Sequence, residues 1–176
     1  MKKLSLIAFI SVIVISSCSK PKDNDDNFRV TFKQDGVDKS FTGHVLAHRD
    51  TVGGYYSLTI LGAHSATGFD NYMSFYIDND PGNGSINPGQ YNDNSTTHSV
   101  LTNYTVNSVE WDAGTSVAQD AVYYGVTIPH RFNVTITSAD ANTIRGTFSG
   151  DYYKDGDVQG TQKSYITNGE FYAKFQ

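Results

Sequence analysis

Apolar and polar residues alternate in short runs along most of this 176-residue chain, and turn-forming residues separate the runs. In the first of them, Phe28, Val30 and Phe32 are apolar while the residues between them are polar. Such alternation is typical of a half-buried β-strand, so the pattern predicts about nine or ten short strands. Comparable runs lie at 37–48, 55–61, 72–77, 104–111, 122–128, 132–137, 144–152 and 165–175.

The residue types support the same fold class. Strong helix formers are scarce after residue 17, where the chain has only four leucines and two glutamates. Tyr, Phe, Val and Thr favour strands, Gly and Asn favour turns, and all of them are abundant. A short helical turn fits only at 116–121. We therefore predict an all-β fold, an antiparallel β-sandwich of about nine or ten short strands, with a lipocalin-like β-barrel as the alternative.

The apolar phase of the C-terminal segment changes at Asn168 and Gly169. Ile166 lies at an even position, whereas the apolar residues that follow lie at odd positions. Either a two-residue hairpin turn between two strands or a bulge in a single strand would produce this change. In both cases the core face carries Phe148, Phe171 and Phe175, and the opposite face carries Thr147, Tyr172 and Lys174.

The first eighteen residues differ from the rest of the chain. Lys2 and Lys3 precede a twelve-residue run, 4–15, that is apolar apart from two serines. A helix needs about 20 apolar residues to cross a bilayer, so this run fits a secretory signal peptide better than a permanent span. It ends in Ile15-Ser16-Ser17-Cys18, which resembles a bacterial lipobox. In a lipobox the cysteine is lipidated and becomes the new N-terminus, so Cys18 is the predicted lipidation site.

This interpretation divides the chain into a cleaved lipoprotein signal peptide (1–17), a lipidated cysteine with a flexible acidic tether (18–27), and a single all-β domain (28–176). The acidic cluster at 23–26 resembles the export signals of surface-displayed lipoproteins of Bacteroidetes-type bacteria; a solubilising linker is the alternative. We expect an outer-membrane lipoprotein in the cell envelope, held by its acyl chains and facing outside if that signal operates.

Charge and cysteine content exclude several functions. Loss of Lys2 and Lys3 with the signal peptide changes the formal net charge from −5 to −7. A negative domain repels phosphate backbones, so nucleic acid is not an expected partner. Cys18 is the only cysteine, and lipidation would use its sulfur. No disulfide, cysteine nucleophile or cysteine-ligated metal is then available.

Two C-terminal motifs carry a more specific signal. Residues 146–150 read GTFSG, and residues 166–171 read ITNGEF after a polar loop. The combination G-T-F-S-G and I-T-N-G-x-F resembles small uncharacterised β-rich lipoproteins of Bacteroidetes-type bacteria. The motifs cover about the last 35 residues closely, and the general layout covers the chain loosely. The resemblance implies a location and a fold; that family has no established activity, so it implies no catalytic residue.

Metal-binding patterns are weak. His44 and His48 lie four residues apart in a predicted strand and would point to one face. A zinc site would need a third histidine, and ordinary surface histidines are the simpler interpretation. The loop 78–84 (DNDPGNG) resembles a calcium loop only in part, because Gly82 and Asn83 stand where an EF-hand requires an oxygen ligand and then glycine. The third histidine of such a zinc site would be His64, His98 or His130. We predict no metal and no cofactor.

Aromatic residues give the strongest hint of a binding surface. Three adjacent tyrosine pairs occur at 55–56, 123–124 and 152–153. Neighbouring residues of a strand face opposite sides, so each pair should place one ring in the core and one outside. Outward rings can stack against a sugar or a protein partner, while cross-strand packing of exposed rings is the alternative. The candidate stacking residues are Trp111, Tyr56, Tyr124 and Tyr153.

No motif for nucleophilic, zinc-dependent or phosphate-transfer catalysis occurs in the sequence. We therefore predict a non-enzymatic protein, a lipid-anchored binding or accessory module with a glycan or envelope-protein partner. One alternative is a glycosidase-like envelope hydrolase that uses paired aspartates, and another is a purely structural surface domain. A concave pocket with convergent carboxylates would favour the hydrolase, and a flat face with exposed tyrosine and tryptophan would favour binding.

Overall fold

The structure is a computed structural model that describes residues 28–67, 70–115, 117, 125–128, 131–157 and 159–176. The predicted signal peptide, Cys18, the tether and most of 116–121 lie outside the described residues. Within the described part, no helix combines the length and the apolar character that crossing a membrane would require.

Strands dominate the described residues, so the all-β prediction is confirmed. The structure assigns eleven strands there, against the nine or ten expected. They are β1 (Arg29–Gln34), β2 (Val37–Phe41), β3 (His44–Val52), β4 (Tyr55–Ala63), β5 (Tyr72–Asn79), β6 (Gly89–Asn92), β7 (His98–Val106), β8 (Val109–Gly114), β9 (Asn133–Ala139), β10 (Thr143–Lys154) and β11 (Lys163–Phe175).

The differences in strand number have local causes. The run predicted at 104–111 contains a tight turn, because Asn107 and Ser108 have positive φ angles of 50° and 61° and join β7 to β8. Positive φ at both central residues is the geometry of a two-residue hairpin loop. The run at 37–48 divides at 42–43 into β2 and β3, and the segment that follows the loop 78–84 contains β6, for which no run was predicted. In the predicted run 122–128, the described residues 125–128 form no strand.

All these strands belong to one hydrogen-bonded sheet. A run of six strands has the order β2-β1-β11-β10-β9-β6, and a run of five has the order β3-β4-β5-β7-β8. Two short pairings join the runs: β11 with β3 at Lys174–Leu46, and β10 with β8 at Tyr153–Asp112. The sheet thus closes into a ring of seven strands, and the two separate sheets of a sandwich are not shown.

The two runs face each other across one hydrophobic core. Phe32 on β1 meets Tyr104 on β7 with ring centroids 5.2 Å apart. On β5, the Phe75 ring lies 4.5 Å from that of Phe148 on β10 and 5.9 Å from that of Phe171 on β11. The inner faces of both runs therefore build the core, and their outer faces are left for solvent or ligand.

The phase change in the last segment is a bulge. β11 is one continuous strand, and Asn168 has a positive φ of 52°. Phe148 of β10 pairs with Gly169, but Gly150 pairs with Ile166, so β11 contributes one residue more than β10 in this interval. The bulge returns the aromatic residues beyond it to the core face.

The two motifs interlock across β10 and β11. Gly146 lies opposite Phe171, and Gly169 lies opposite Phe148. A Cβ atom on Gly169 would lie 2.6 Å from the Phe148 ring, and one on Gly146 would overlap the Phe171 ring. Each glycine therefore leaves space for the ring on the other strand. Both phenylalanines are buried, as the alternation predicts.

Near the end of β11, the burial of the side chains differs from what alternation along the strand predicts. Phe175 is only partly buried, and the Arg49 guanidinium lies 4.0 Å above its ring. Tyr172 lies on the face opposite the core, but only 7% of it is exposed. The Phe28 ring lies 4.9 Å from it and the Arg145 guanidinium lies 3.9 Å above it. Alternation predicts where a side chain points and does not predict whether neighbours cover it.

Candidate functional site

The aromatic residues predicted to stack on a ligand are not brought together. Tyr56 has the same phase along β4 as the buried residues Leu58 and Ile60, and it is half-buried. Tyr55 is the outward ring of this pair, with 47% of its surface exposed. The expectation that Tyr56 is the exposed partner is therefore wrong, because the inward phase of β4 falls on even positions.

The remaining predicted rings are also unsuited to a shared stacking platform. Tyr152 and Tyr153 face opposite sides as expected, but Tyr153 is only 5% exposed because it packs in a second small cluster with Ile128. The expectation of an exposed Tyr153 is therefore wrong. Trp111 is half-buried and packs against the main core. Tyr124 lies outside the described residues.

Two of the histidines considered as zinc ligands contact neighbouring loop and core residues, and they do not meet at a common metal site. His98 accepts a hydrogen bond at Nε2 from the Asn92 amide at 3.1 Å, and burial lowers the pKa of its imidazole. The His64 ring packs on Phe41 with centroids 5.0 Å apart. In the described ranges, no three His, Cys, Asp or Glu side chains lie close enough to hold a metal ion. His130 lies outside those ranges.

One pair of carboxylates lies on the outer face of β8. The Asn103 amide donates one hydrogen bond to Glu110 at 3.2 Å and another to Asp112. Burial raises the pKa of Asp112 to about 6; the Asn103 bond opposes this rise, and the charges of Glu110 and Asp155 add to it. Both carboxylates approach the same donor from one strand face, and neither lines any of the clefts described below.

The raised pKa of Asp112 predicts a pH dependence of stability. The folded state holds a proton between about pH 4 and pH 6 that the unfolded chain releases, so stability should fall as pH rises through this window. Asp112→Asn keeps an acceptor oxygen for Asn103 and removes the titration. Urea unfolding at pH 4 and pH 7 should show the wild type losing about 1 to 2 kcal/mol more than the variant, after allowance for solvent screening. Equal pH slopes would contradict this, and Asp70→Asn serves as an exposed control.

A row of polar side chains crosses the outer face of the six-strand run. Each member is the direct cross-strand partner of the next, so the row passes over every strand from β6 to β2. Six strands spaced about 4.8 Å apart extend it over about 24 Å. We call this set the polar row. Its members in order are Gln90, Thr135, Thr147, Glu170, Thr31 and Ser40.

A shallow cleft of about 710 Å³ follows the polar row across β6, β9, β10 and β11. The bulge at Asn168 and the side-chain-free Gly169 lie in its floor, so the feature that corrects the phase of β11 also shapes the surface. We call this cleft the outer groove. It is lined by Gln90, Asn133, Thr135, Thr147, Phe148, Ser149, Thr167, Asn168, Gly169 and Glu170.

The side chains of the polar row are unengaged within the part of the chain that the structure describes. None of the six makes a side-chain hydrogen bond or an ion pair there. Tyr165 flanks the groove, because it lies two residues before Thr167 on β11 and therefore shares its face. Its ring is 46% exposed. The groove thus combines free hydrogen-bonding groups with one accessible aromatic ring.

Other clefts are built differently. A cleft of about 390 Å³ beside Tyr56 contains charged and amide side chains that already hold the surrounding loops. Asp140 accepts hydrogen bonds from the Asn142 and Thr143 amides at 2.7 and 2.8 Å, and Asn87 donates one to the Ser85 carbonyl at 2.9 Å. A further cleft of about 720 Å³ lies between the start of β3 and the end of β11, and Phe28, Asn142 and Thr143 complete its lining.

Sequence reasoning missed the outer groove although the signal was present. Thr147 and Ser149 are the outward residues of the GTFSG motif, and Thr167, Asn168 and Glu170 belong to ITNGEF. Alternation alone places most of them on one face. Their alignment with Thr135 and Gln90 depends on strand register and on the bulge, which the motifs do not reveal.

The fold and its surfaces thus define an all-β domain with a polar groove across four neighbouring strands. The chain matches no protein-family model, no curated protein and no solved structure. The outer groove is therefore the feature of this domain on which a function can rest.

Proposed function

We propose that this chain is a lipid-anchored protein of the cell envelope, an outer-membrane lipoprotein whose β-domain is a non-catalytic binding module. The polar row carries the proposal for binding, because its six side chains have no partner among the described residues. The lipobox at 15–18 supports the anchor. The outer groove is the proposed binding surface, and a glycan or an envelope protein is the partner.

The setting of the row favours recognition. Its residues lie on paired strands, so the backbone positions are held by the sheet. Threonine side chains are stiff about χ1, and little freedom is lost when a ligand fixes them. A ligand can exchange the water on these groups for its own hydrogen bonds without breaking any bond inside the protein.

The test uses the full-length lipoprotein in detergent micelles on an array of glycans and purified envelope components. Thr147→Arg places a long side chain in the middle of the groove. Thr59→Arg is the matched control, because Thr59 lies on the outer face of the five-strand run. We expect the wild type and Thr59→Arg to bind the same ligand and Thr147→Arg to lose it. Binding that survives Thr147→Arg, or no binding by the wild type, would contradict the proposal.

A glycosidase-like hydrolase is the second candidate, and the Glu110–Asp112 pair is the observation that favours it. A glycosidase places two carboxylates about 5 to 9.5 Å apart on either side of the scissile bond. Here Asn103 holds both carboxylates on one side, on an outer strand face. We therefore expect no release of reducing ends from polysaccharides. Release by the wild type that Asp112→Asn abolishes would establish the enzyme in place of the binding module.

A further inference from the structure

The chemistry of the outer groove restricts the ligand that it can hold. Its polar lining combines three amides, four hydroxyl groups and one carboxylate, with no lysine or arginine. Hydroxyl groups donate and accept hydrogen bonds, and an amide offers both functions side by side. The lining therefore matches a ligand whose surface also alternates donors and acceptors at short intervals.

We infer that this ligand is an uncharged, polyhydroxylated chain, a neutral polysaccharide that lies along the polar row across the strands. The inference rests on the proposed function of the outer groove and adds the chemical class and the direction of the ligand. It selects the glycan from the two partner classes named above.

Charge argues for a neutral ligand. Glu170 is exposed in the middle of the row and has no ion-pair partner among the described residues, so it repels a uronate, sulfate or phosphate chain. The Lys163 Nζ atom lies 5.6 Å from the centroid of the Tyr165 ring, at the flank of the groove. Two other cations near the groove are paired with carboxylates. Lys33 lies 3.4 Å from Asp38, and Arg131 lies 3.7 Å from Asp151.

Shape and polarity argue for a polymer. Sites for small metabolites are enclosed and mostly apolar, with few polar groups. The outer groove is open, and eight of its ten lining residues carry polar side chains. The polar row continues beyond it onto Thr31 and Ser40, over a total of about 24 Å, which suits a linear chain in contact with several strands at once.

A protein partner fits this surface poorly. The central part of a protein interface usually contains aromatic or other large apolar residues that become fully buried. Among the described residues, the exposed large apolar side chains are Val37, Val52, Tyr55, Tyr76 and Tyr165, and only Tyr165 flanks the groove. A single exposed ring beside hydroxyl and amide groups is suited to stacking on a sugar.

The test measures binding of the full-length lipoprotein, in detergent micelles, to immobilised neutral polysaccharides, a polyuronate and a sulfated polysaccharide. We expect binding to one or more neutral chains and none to the charged ones. Tyr165→Ala should weaken binding about tenfold or more, the equivalent of at least one lost stacking contact. Tyr55→Ala is the matched control, because Tyr55 is equally exposed on the five-strand run, and it should bind as the wild type does.

A charge reversal tests the specificity directly. Glu170→Lys should acquire binding to the polyuronate, because the groove then carries a cation where the wild type carries an anion. The wild type could instead bind only charged chains, or only a protein. If Thr147→Arg abolished that binding, the neutral-glycan inference would be overturned and the groove would remain the binding site. Neutral-glycan binding that resists Thr147→Arg would overturn both.

Discussion

Replacing Phe171 by alanine should lower the free energy of unfolding by about 3 to 5 kcal/mol, the usual cost of emptying a buried phenylalanine site. Phe171 is 2% exposed, and its ring lies 5.9 Å from Phe75 on the opposite run. Its ring fills the space above Gly146, which has no side chain to occupy the gap that the alanine would leave. The total free energy of unfolding of a natural domain is about 5 to 15 kcal/mol. Urea and thermal unfolding should therefore show that the Phe171→Ala variant is only marginally stable at growth temperature.

The neighbouring residue provides the control. Glu170 precedes Phe171 and is exposed on the outer face, so Glu170→Ala should change stability by less than about 0.5 kcal/mol. Gly146→Ala should reproduce the effect of Phe171→Ala from the other strand, because the added Cβ atom overlaps the ring. If Phe171→Ala kept the wild-type melting temperature and lost ligand binding, the ring would belong to a site and not to the core.

Replacing Cys18 by alanine should release the protein from the membrane or leave it unprocessed. One acyl chain gives only marginal membrane binding, whereas two or more anchor a protein stably at about 0.8 kcal/mol per buried CH₂. Cys18 is the only residue in the chain that can carry the thioether-linked lipid. Fractionation of cells followed by mass measurement of the N-terminus should show no lipid and no stable membrane association.

The adjacent Ser19→Ala serves as the control, because it leaves the lipobox cysteine in place. This variant should remain lipidated and in the membrane fraction. A Cys18→Ala protein that had lost its signal peptide and still resisted a high-salt wash would refute the lipobox interpretation. The high-salt wash matters because it removes proteins held only by charge.

Much of the strand pattern could be predicted, because alternation depends only on neighbours along the chain. It located most of the strands and directed Phe148 and Phe171 to the core. The hairpin at Asn107 and Ser108 was missed because this pair is not a strong turn signal of the Asn-Gly type. The closure of the sheet was not predictable either, since it rests on short pairings between strands far apart in the chain.

The candidate site was harder to predict for a related reason. Tyr153 was expected at the surface because its neighbour Tyr152 belongs to the core, but a distant residue, Ile128, covers it. The polar row consists of ordinary threonine, serine, glutamine and glutamate residues, and only Thr147 and Glu170 belong to the two C-terminal motifs. They become a surface only when the register sets Thr135 beside Thr147 and Thr147 beside Glu170.

The pairing of the first strand with the last sets the order of events when the chain is made. Gln34 on β1 donates a hydrogen bond to Ser164 on β11 across 130 residues, and β11 also pairs with β3 and β10. A growing chain that lacks β11 leaves each of these three strands without one of its neighbours, although β1 still pairs with β2, β3 with β4 and β10 with β9. Folds that depend on such distant pairings form in milliseconds to seconds. The sheet can therefore close only after the last strand has been synthesised, so the fold is completed at the end of synthesis and not during it.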